Sequence, residues 1–215
     1  MDPDQGLVER CQNPDSDEFE AAFEALYHRY RDRVYSMAYR ITGTSADAMD
    51  VVQETFSLLF RKIAAFRAES LFSTWLFRIV VNCAIDSRRQ ARSGLRRRTA
   101  SLSQLTGAEQ PTDEVTTRPE DAAELGELGD HVHGSIQKLS PKLRAVLVLR
   151  HLEHQNYDEL CATLGLSMGT VKSRMARAHV ALQRELAGTL EPFGYQADTD
   201  GNYSSGSDHG QEGVA

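Results

Sequence analysis

The amino-acid sequence predicts an all-α protein made of two small helical domains joined by a flexible linker. Apolar residues recur at intervals of three or four in two blocks, from about residue 18 to 90 and from about 124 to 186. No segment shows the convincing alternation of a half-buried strand. Between the blocks, Pro111 and Pro119 interrupt a stretch rich in Ser, Thr and Gly, which is typical of a linker.

These shifts in composition divide the 215 residues into five segments. Residues 1–17 form an acidic lead, 18–91 the first domain, 92–123 the linker and 124–188 the second domain. Residues 189–215 are polar and rich in glycine, so we expect this tail to be disordered.

In the first domain, the apolar pattern predicts a long helix that ends near Gly43 and a second helix that starts after Thr44 or Ser45. The inward stripe of the second helix consists of Val52, Phe56, Leu59, Phe60, Ile63 and Phe66. Its other faces carry the polar residues Asp47, Asp50, Gln53, Glu54 and Ser57. Such a polar face is either simply solvated or a docking surface for a partner.

A third helix follows a break from Phe66 to Ser70. Its sequence, SLFSTWLFRIVVNCAIDSRRQAR, mixes aromatic residues with cations. This combination suits single-stranded DNA, because unstacked bases gain about 1 to 3 kcal/mol each on aromatic faces while cations follow the backbone. We expect Phe66 and Phe72 to be exposed for such contacts, whereas Trp75 is expected in the core.

In the second domain, residues 157 to 184 predict two short helices joined by a tight turn, as in a helix-turn-helix or winged-helix-like fold. Gly165 and Leu166 make the turn, and Ser167 is a good N-cap for the second helix. The apolar stripe of that helix leaves a polar face of small residues and cations, suited to the major groove of DNA. The alternative is an ordinary helical hairpin with a solvated basic face. The residues of the polar face are Ser167, Gly169, Thr170, Lys172, Ser173, Arg174 and Arg177.

The distribution of charge supports a nucleic-acid partner despite a net charge of −7. Between Arg61 and Arg98 the only acids are Glu69 and Asp86, set among many cations. Acidic residues concentrate instead in the lead and between Glu109 and Asp130. The chain therefore separates surfaces suited to DNA from segments that would avoid it.

The sequence predicts neither a membrane segment nor a metal site. No stretch approaches the roughly 20 apolar residues that span a bilayer, and the opening MDPDQGLVER lacks a signal-peptide pattern, so we expect a cytoplasmic protein. The three cysteines have no CxxC spacing, and Cys83 and Cys161 are expected to be small core residues. Four histidines lie close in sequence, but their spacing favours surface positions over metal ligation. They are His131, His133, His151 and His154.

Four segments in order resemble the extracytoplasmic-function subgroup of the sigma-70 family of bacterial RNA polymerase sigma factors. They are DAMDVVQETFSLLFRKIAAFR (47–67), STWLFRIVVNCAIDSRRQ (73–90), LSPKLRAVLVLRHLE (139–153) and YDELCATLGLSMGTVKSRMARA (157–178). The resemblance implies a factor that binds core RNA polymerase, recognises the −35 and −10 elements of promoter DNA and assists promoter melting. It also suggests an inhibitory anti-sigma factor as a partner.

The resemblance assigns roles to particular residues. The helix that carries Asp50, Gln53, Glu54 and Phe56 is expected to dock on the coiled coil of the largest polymerase subunit. The face from Ser167 to Arg177 is expected to read the −35 element. The melting element, which captures a flipped base of the −10 element, is assigned to Phe66, Ser70, Phe72, Arg78, Asn82, Arg88 and Arg89.

Two other classes of protein fit the sequence less well. A stand-alone helix-turn-helix repressor or activator would dimerise on palindromic sites, but no clear dimerisation helix is visible. A nuclease would need clustered carboxylates, and Asp47, Asp50 and Glu54 have no second carboxylate motif to complete a site. We therefore expect a monomeric protein that is no enzyme, with no catalytic residue, cofactor, metal or small-molecule substrate.

Overall fold

The computed structural model describes residues 2–13, 15–98, 129, 131–190, 195–197 and 203–205. For residues 91–98, 188–190, 195–197 and 203–205 it describes the backbone alone. The first half contains α1 (Gln5–Arg10), α2 (Phe19–Thr42), α3 (Ser45–Lys62), a 3₁₀ turn (Ile63–Ala65) and α4 (Phe72–Arg98). The second half contains α5 (131–138), α6 (Pro141–His151), α7 (Tyr157–Leu164) and α8 (Met168–Leu190). The predicted all-α class is confirmed.

The boundary between α2 and α3 lies where the sequence predicts it. Gly43 adopts the left-handed conformation with φ 93°, and its N–H donates to the carbonyl of Tyr39, which ends α2. Thr44 then caps α3, because its Oγ1 accepts the N–H of Asp47 at 3.1 Å. Local chemistry is therefore sufficient to separate these two helices.

The first half is a bundle of α2, α3 and α4, with α1 packed against α2. Its core consists of the apolar stripes of the three long helices, to which Val8 of α1 and Cys11, directly after α1, are added. Cys11 is fully buried, and burial raises the pKa of its thiol. Cys83 and Cys161, which we expected in the core, are only half-buried at its margin. All three thiols are free.

In the second half, α7 and α8 are defined by capping groups. Asn156 accepts the N–H of Glu159 at 2.9 Å, and the Glu159 carboxylate accepts the N–H of Asn156 at 2.8 Å, which completes a capping box. Gly165 ends α7 in the left-handed conformation with φ 64°. Ser167 caps α8 as predicted, since its Oγ accepts the N–H of Thr170 at 3.4 Å.

The two halves pack against each other through α2 with α6 and through α4 with α6 and α7. At the end of α2, the buried Arg144 donates to the carbonyl of Ile41, and Gln137 donates to the carbonyl of Arg40 at 3.0 Å. Arg144 also donates to the carbonyl of Leu139 at 3.0 Å. The carbonyls at the end of a helix have no N–H donor within that helix, and here side chains supply the donors.

A second set of contacts joins α4 to α7, and α2 to the loop that precedes α7. Arg78 donates to the carbonyl of Thr163 at 3.3 Å and also to that of Ala162. Arg33 pairs with Glu153 at 2.5 Å and lies 4.8 Å from the ring centre of Phe77. Burial raises the pKa of Glu153, and the Arg33 charge opposes that rise.

Two segments depart from the expected division of the chain. Helix α4 continues to Arg98, into the predicted linker, because no proline occurs before Pro111 to stop it. In the tail, which we expected to be disordered and without strands, Tyr195–Ala197 pairs antiparallel with Tyr203–Ser205. An Asp-Gly dipeptide between these segments favours a hairpin, and tyrosine favours strands. The rest of the linker and tail lies outside the described residues.

Candidate nucleic-acid and partner interfaces

The helix α8 presents a continuous polar face at its start. Val171, Met175 and Ala178 are buried at 0 to 2% exposure and fix the orientation of the helix on the second half. Because residues three and four apart share a face, the remaining positions of the first turns must point outward. Of the seven residues predicted for this face, Arg174 is half-buried and the others are exposed; these are Ser167, Gly169, Thr170, Lys172, Ser173 and Arg177.

The cations of this face are close enough to affect one another. Partial burial, together with the neighbouring Arg177 guanidinium, lowers the pKa of Arg174 from its usual value. Arg177 is held by a hydrogen bond from its Nε to the carbonyl of Ser173, at 3.3 Å. An arginine stays charged under these conditions, so the face concentrates positive charge beside small residues that allow close approach of a groove.

A groove with exposed apolar residues lies between α2 and α3. Asp50 and Gln53 line it, together with Met49, which is 58% exposed, and Phe60, which is 55% exposed. Phe60 was predicted to face the core. Instead its ring packs edge-on against Phe19 and Phe23 at the surface, at 5.4 Å in each case. A contiguous apolar patch edged by polar side chains is typical of a protein-binding site.

Of the four residues predicted to bind a protein partner, three are exposed and one is buried. Asp50, Gln53 and Glu54 are exposed on α3. Phe56 is 7% exposed and packs under Tyr27 with 4.7 Å between the ring centres. Phe56 therefore forms the floor of the groove, which its place in the apolar stripe could have indicated.

The loop between the 3₁₀ turn and α4 corrects one expectation. Phe66 and Phe72, predicted to be exposed, are 8% and 0% exposed. Their rings pack edge-on at 5.9 Å, and Phe72 also contacts Tyr30 at 5.5 Å, so tertiary packing of the loop ends outweighs local sequence context. The exposed part of the loop is instead Arg67 to Leu71.

Trp75 is half-buried rather than fully in the core. It packs on Phe66 at 5.0 Å and lines a surface cleft with Ser70 and Arg78. Ala162 of α7 lies on the other side of this cleft. The cleft combines an aromatic face, a hydroxyl and a guanidinium, which are the groups that hold an unstacked base.

The remaining residues predicted for single-stranded DNA lie along α4. Asn82 is exposed and lines a polar cleft between α3 and α4 that also includes Asp50 and Glu54. Arg88 lies 4.0 Å from Asp47, and Arg89 lies 3.5 Å from Asp86. The structure thus brings part of the predicted protein-binding face next to the predicted DNA path.

The four histidines that lie close in sequence belong to two segments, α5 and the end of α6 with the loop that follows it. Within the described ranges, no group of three or more His, Cys, Asp or Glu could hold a metal ion. His151 and His179 approach with 3.3 Å between their Nε2 atoms, and His133 stacks on Tyr39 at 4.9 Å between ring centres. His131 and His154 are exposed, whereas His133 is half-buried by that stacking. Among the described residues, no helix is both long and apolar enough to cross a bilayer.

Comparisons with known families match both halves of the chain. Residues 26–94 match the family model for sigma-70 region 2, and residues 132–182 match the family model for sigma-70 region 4. The matched ranges contain most of the α2–α3 groove, the loop before α4 and the polar face of α8.

Curated relatives align with most of the chain. The RNA polymerase sigma-H factor of Pseudomonas aeruginosa is 32% identical over 191 residues, which covers 86% of this chain and 95% of the relative. The ECF RNA polymerase sigma-E factor of Escherichia coli is 36% identical over 188 residues, covering 85% and 94%. The ECF RNA polymerase sigma factor SigW of Bacillus subtilis is 34% identical over 167 residues, covering 77% and 89%.

Solved structures share the fold. A co-crystal structure of the sigma factor RpoE with the anti-sigma factor NepR from Bartonella quintana matches with a TM-score of 0.57 and 23% identity, covering 76% of this chain and 96% of that chain. A structure of CnrH in complex with the cytosolic domain of CnrY matches with a TM-score of 0.58 and 24% identity, covering 86% and 97%.

Proposed function

Because the chain belongs to the extracytoplasmic-function group of the sigma-70 family, we propose that it binds core RNA polymerase and directs transcription initiation at promoters with −35 and −10 elements. The observation that carries this proposal is the polar face of α8, which is exposed over its first turns while Val171, Met175 and Ala178 anchor the helix. The same chain also carries a separate aromatic and basic element on α4.

Recognition of the −35 element is assigned to the start of α8. Small residues at the end of a helix allow it to enter the major groove, and nearby cations bind phosphates and the O6 and N7 acceptors of guanine. The seven residues named above supply both kinds of group. Gly169 has no atom within 4 Å of the position that a Cβ would occupy, so this end of the helix faces open space.

Capture of a −10 base is assigned to the cleft beside the loop that precedes α4. Extracting a base from the duplex costs a few kcal/mol, which stacking and backbone contacts must offset. Ser70, Trp75 and Arg78 line the cleft, and Asn82, Arg88 and Arg89 continue along α4 as a path for the strand. In this proposal Phe66 and Phe72 support the loop from the core rather than stacking on bases, because both are buried.

Docking on core polymerase is assigned to the α2–α3 groove. Asp50, Gln53 and Glu54 provide polar contacts, and the exposed Met49 and Phe60 provide apolar area. A combination of apolar centre and polar rim is common at protein interfaces. The coiled coil of the largest polymerase subunit is the partner that the family resemblance indicates, and the site of action is then the cytoplasm.

The chain is proposed to act without chemistry of its own, since bond formation would take place in the polymerase. An anti-sigma factor is a further proposed partner. This assignment is supported by the sigma-70 family membership and by the complex of the sigma factor RpoE with the anti-sigma factor NepR, in which the sigma factor shares this fold.

The direct test is in vitro transcription from a genomic fragment library with the purified chain, in the presence and absence of core RNA polymerase. We expect core-dependent initiation at fragments that share −35 and −10 sequences. Binding to palindromic sites without core polymerase, and with no initiation, would instead establish a repressor or activator.

A further inference from the structure

The acidic lead lies against both ends of the loop formed by residues 66–72, which we call the melting loop. At one end, Asp2 accepts the N–H of Phe72 on Oδ2 at 2.6 Å, where α4 begins. At the other end, the side-chain amide of Gln12 donates to the carbonyl of Phe66 at 2.7 Å. Residues far apart in sequence thus hold the two backbone groups between which the loop projects.

The lead is itself anchored to the first half. Asp4 is 2% exposed, and its carboxylate accepts hydrogen bonds from the Tyr30 hydroxyl and from Arg29. Val8 and Cys11 of the same segment are buried at 3% and 0% exposure. The Tyr30 ring also contacts Phe72 at 5.5 Å, so the anchor and the melting loop share one neighbour.

The melting loop needs such support because its middle is exposed and includes a strained residue. Arg67, Glu69, Ser70 and Leu71 are exposed, and Ala68 adopts the left-handed region with φ 54°. A non-glycine residue in that region is strained and persists only when its surroundings hold the backbone in place. The bonds from Asp2 and Gln12 act at both ends of this strained segment.

We propose that the acidic lead positions the melting loop for capture of the −10 base, with Asp2 and Gln12 as positioning residues. Neither residue is placed to contact DNA in this scheme; each acts through the backbone of Phe72 or Phe66. The inference rests on the proposed function, since it assigns the lead to the −10 step of that function. The sequence alone left the lead without a role.

The test compares −10 and −35 discrimination in variants of the full chain with core RNA polymerase. Asp2→Leu removes both acceptor oxygens at similar side-chain size, and Gln12→Met removes the donor at similar length. Asp2→Asn keeps an acceptor and is expected to retain discrimination. Glu9→Leu is the matched control, because Glu9 is an exposed acid of the same segment. Its carboxylate accepts a hydrogen bond from Gln5 and makes none with the melting loop, all of whose residues the structure describes.

Initiation is measured on two promoter libraries, one randomised in the −10 element and one in the −35 element, with permanganate detection of unpaired thymines. For Asp2→Leu combined with Gln12→Met, loss of two hydrogen bonds is expected to lower −10 discrimination and strand opening about tenfold, with −35 discrimination unchanged. Lower initiation on both libraries, with no selective loss of −10 discrimination, would show a general destabilisation and overturn the positioning role.

The parent chain must first discriminate between −10 sequences. If the folded double variant then discriminates as well as the parent, the role of the lead is overturned and the proposed function stays intact. Equal loss for Glu9→Leu would also overturn that role. A parent chain that shows no core-dependent preference at −10 would overturn the proposed function and this inference together.

Discussion

The guanidinium of Arg144, buried in the second half, donates to the backbone carbonyl of Ile41 at the end of α2 in the first half. Arg144 is 1% exposed and also donates to the carbonyl of Leu139 and to the side-chain carbonyl of Gln137. One charged side chain therefore donates hydrogen bonds to three acceptor oxygens. Burial of a cation is tolerated here because these acceptors replace the water that it loses.

Replacement of Arg144 by Met should lower the free energy of unfolding by about 2 to 4 kcal/mol, because several buried acceptors would lose their donor. Urea denaturation followed by circular dichroism measures this change. Lys142→Met on the same helix is the control, since Lys142 is exposed. A loss for Arg144→Met no larger than for the control would contradict the assigned role.

Gly43→Ala should be more destabilising than Gly165→Ala, although both glycines adopt positive φ. A Cβ on Gly43 would overlap Oε1 of Gln137, which a hydrogen bond from Arg144 holds in place, whereas a Cβ on Gly165 meets nothing within 4 Å. We expect a cost of about 1 kcal/mol from backbone strain at either site and an added steric cost at Gly43. A double-mutant cycle with Gln137→Ala isolates that steric part, and equal effects of the two glycine variants would refute it.

The DNA-binding and polymerase-binding faces should be separable by mutation. Lys172→Ala and Arg174→Ala should weaken −35 binding, with the salt dependence falling by about one charge for each phosphate contact removed. Asp50→Ala and Gln53→Ala should weaken binding to core polymerase and leave DNA contacts unchanged. Filter binding to a −35 duplex and fluorescence titration with core polymerase measure the two effects. The partition of faces fails if all four variants reduce core affinity equally.

Stability should fall when the pH drops below about 6.5 because of the His151–His179 pair. Partial burial of the ring, and next the proximity of His179, lower the pKa of His151 from its ordinary 6.5, and Arg150 and His154 act in the same direction. The unfolded chain therefore binds a proton at this position more readily than the folded chain, and acid favours unfolding. His179→Gln removes the repulsion from His179 and should flatten the dependence of urea stability on pH from 7 to 5. An unchanged slope would show that His179 does not contribute.

Elements defined by local chemistry could be predicted from the sequence. Gly43 and Thr44 separate α2 from α3, and Gly165 and Ser167 do the same between α7 and α8, because each signal acts within a few residues. The exposed face of α8 follows from helical periodicity once its buried stripe is known. The capping box of Asn156 and Glu159 could also have been found, since an Asn three residues before a Glu is its usual pattern.

Features that depend on tertiary packing could not be predicted. The stripe of α3 places Phe60 on the same face as Phe56, yet only Phe56 is covered by Tyr27 and the core. Phe72 is buried against Tyr30 and Phe66, and Phe66 is buried against Phe72 and Trp75. No local pattern indicates that Asp2 meets Phe72 or that Arg144 reaches Ile41, since these contacts join segments distant in sequence.

The contacts between the halves are reciprocal, because each half donates hydrogen bonds to the end of a helix in the other half. Arg40 and Ile41 at the end of α2 offer carbonyls that Gln137 and Arg144 satisfy, while Ala162 and Thr163 at the end of α7 offer carbonyls to Arg78. Each half thus completes a helix terminus of the other. Parting them takes these donors from the last turns of α2 and α7 at the same time, so water must then hydrate the carbonyls of both helix ends.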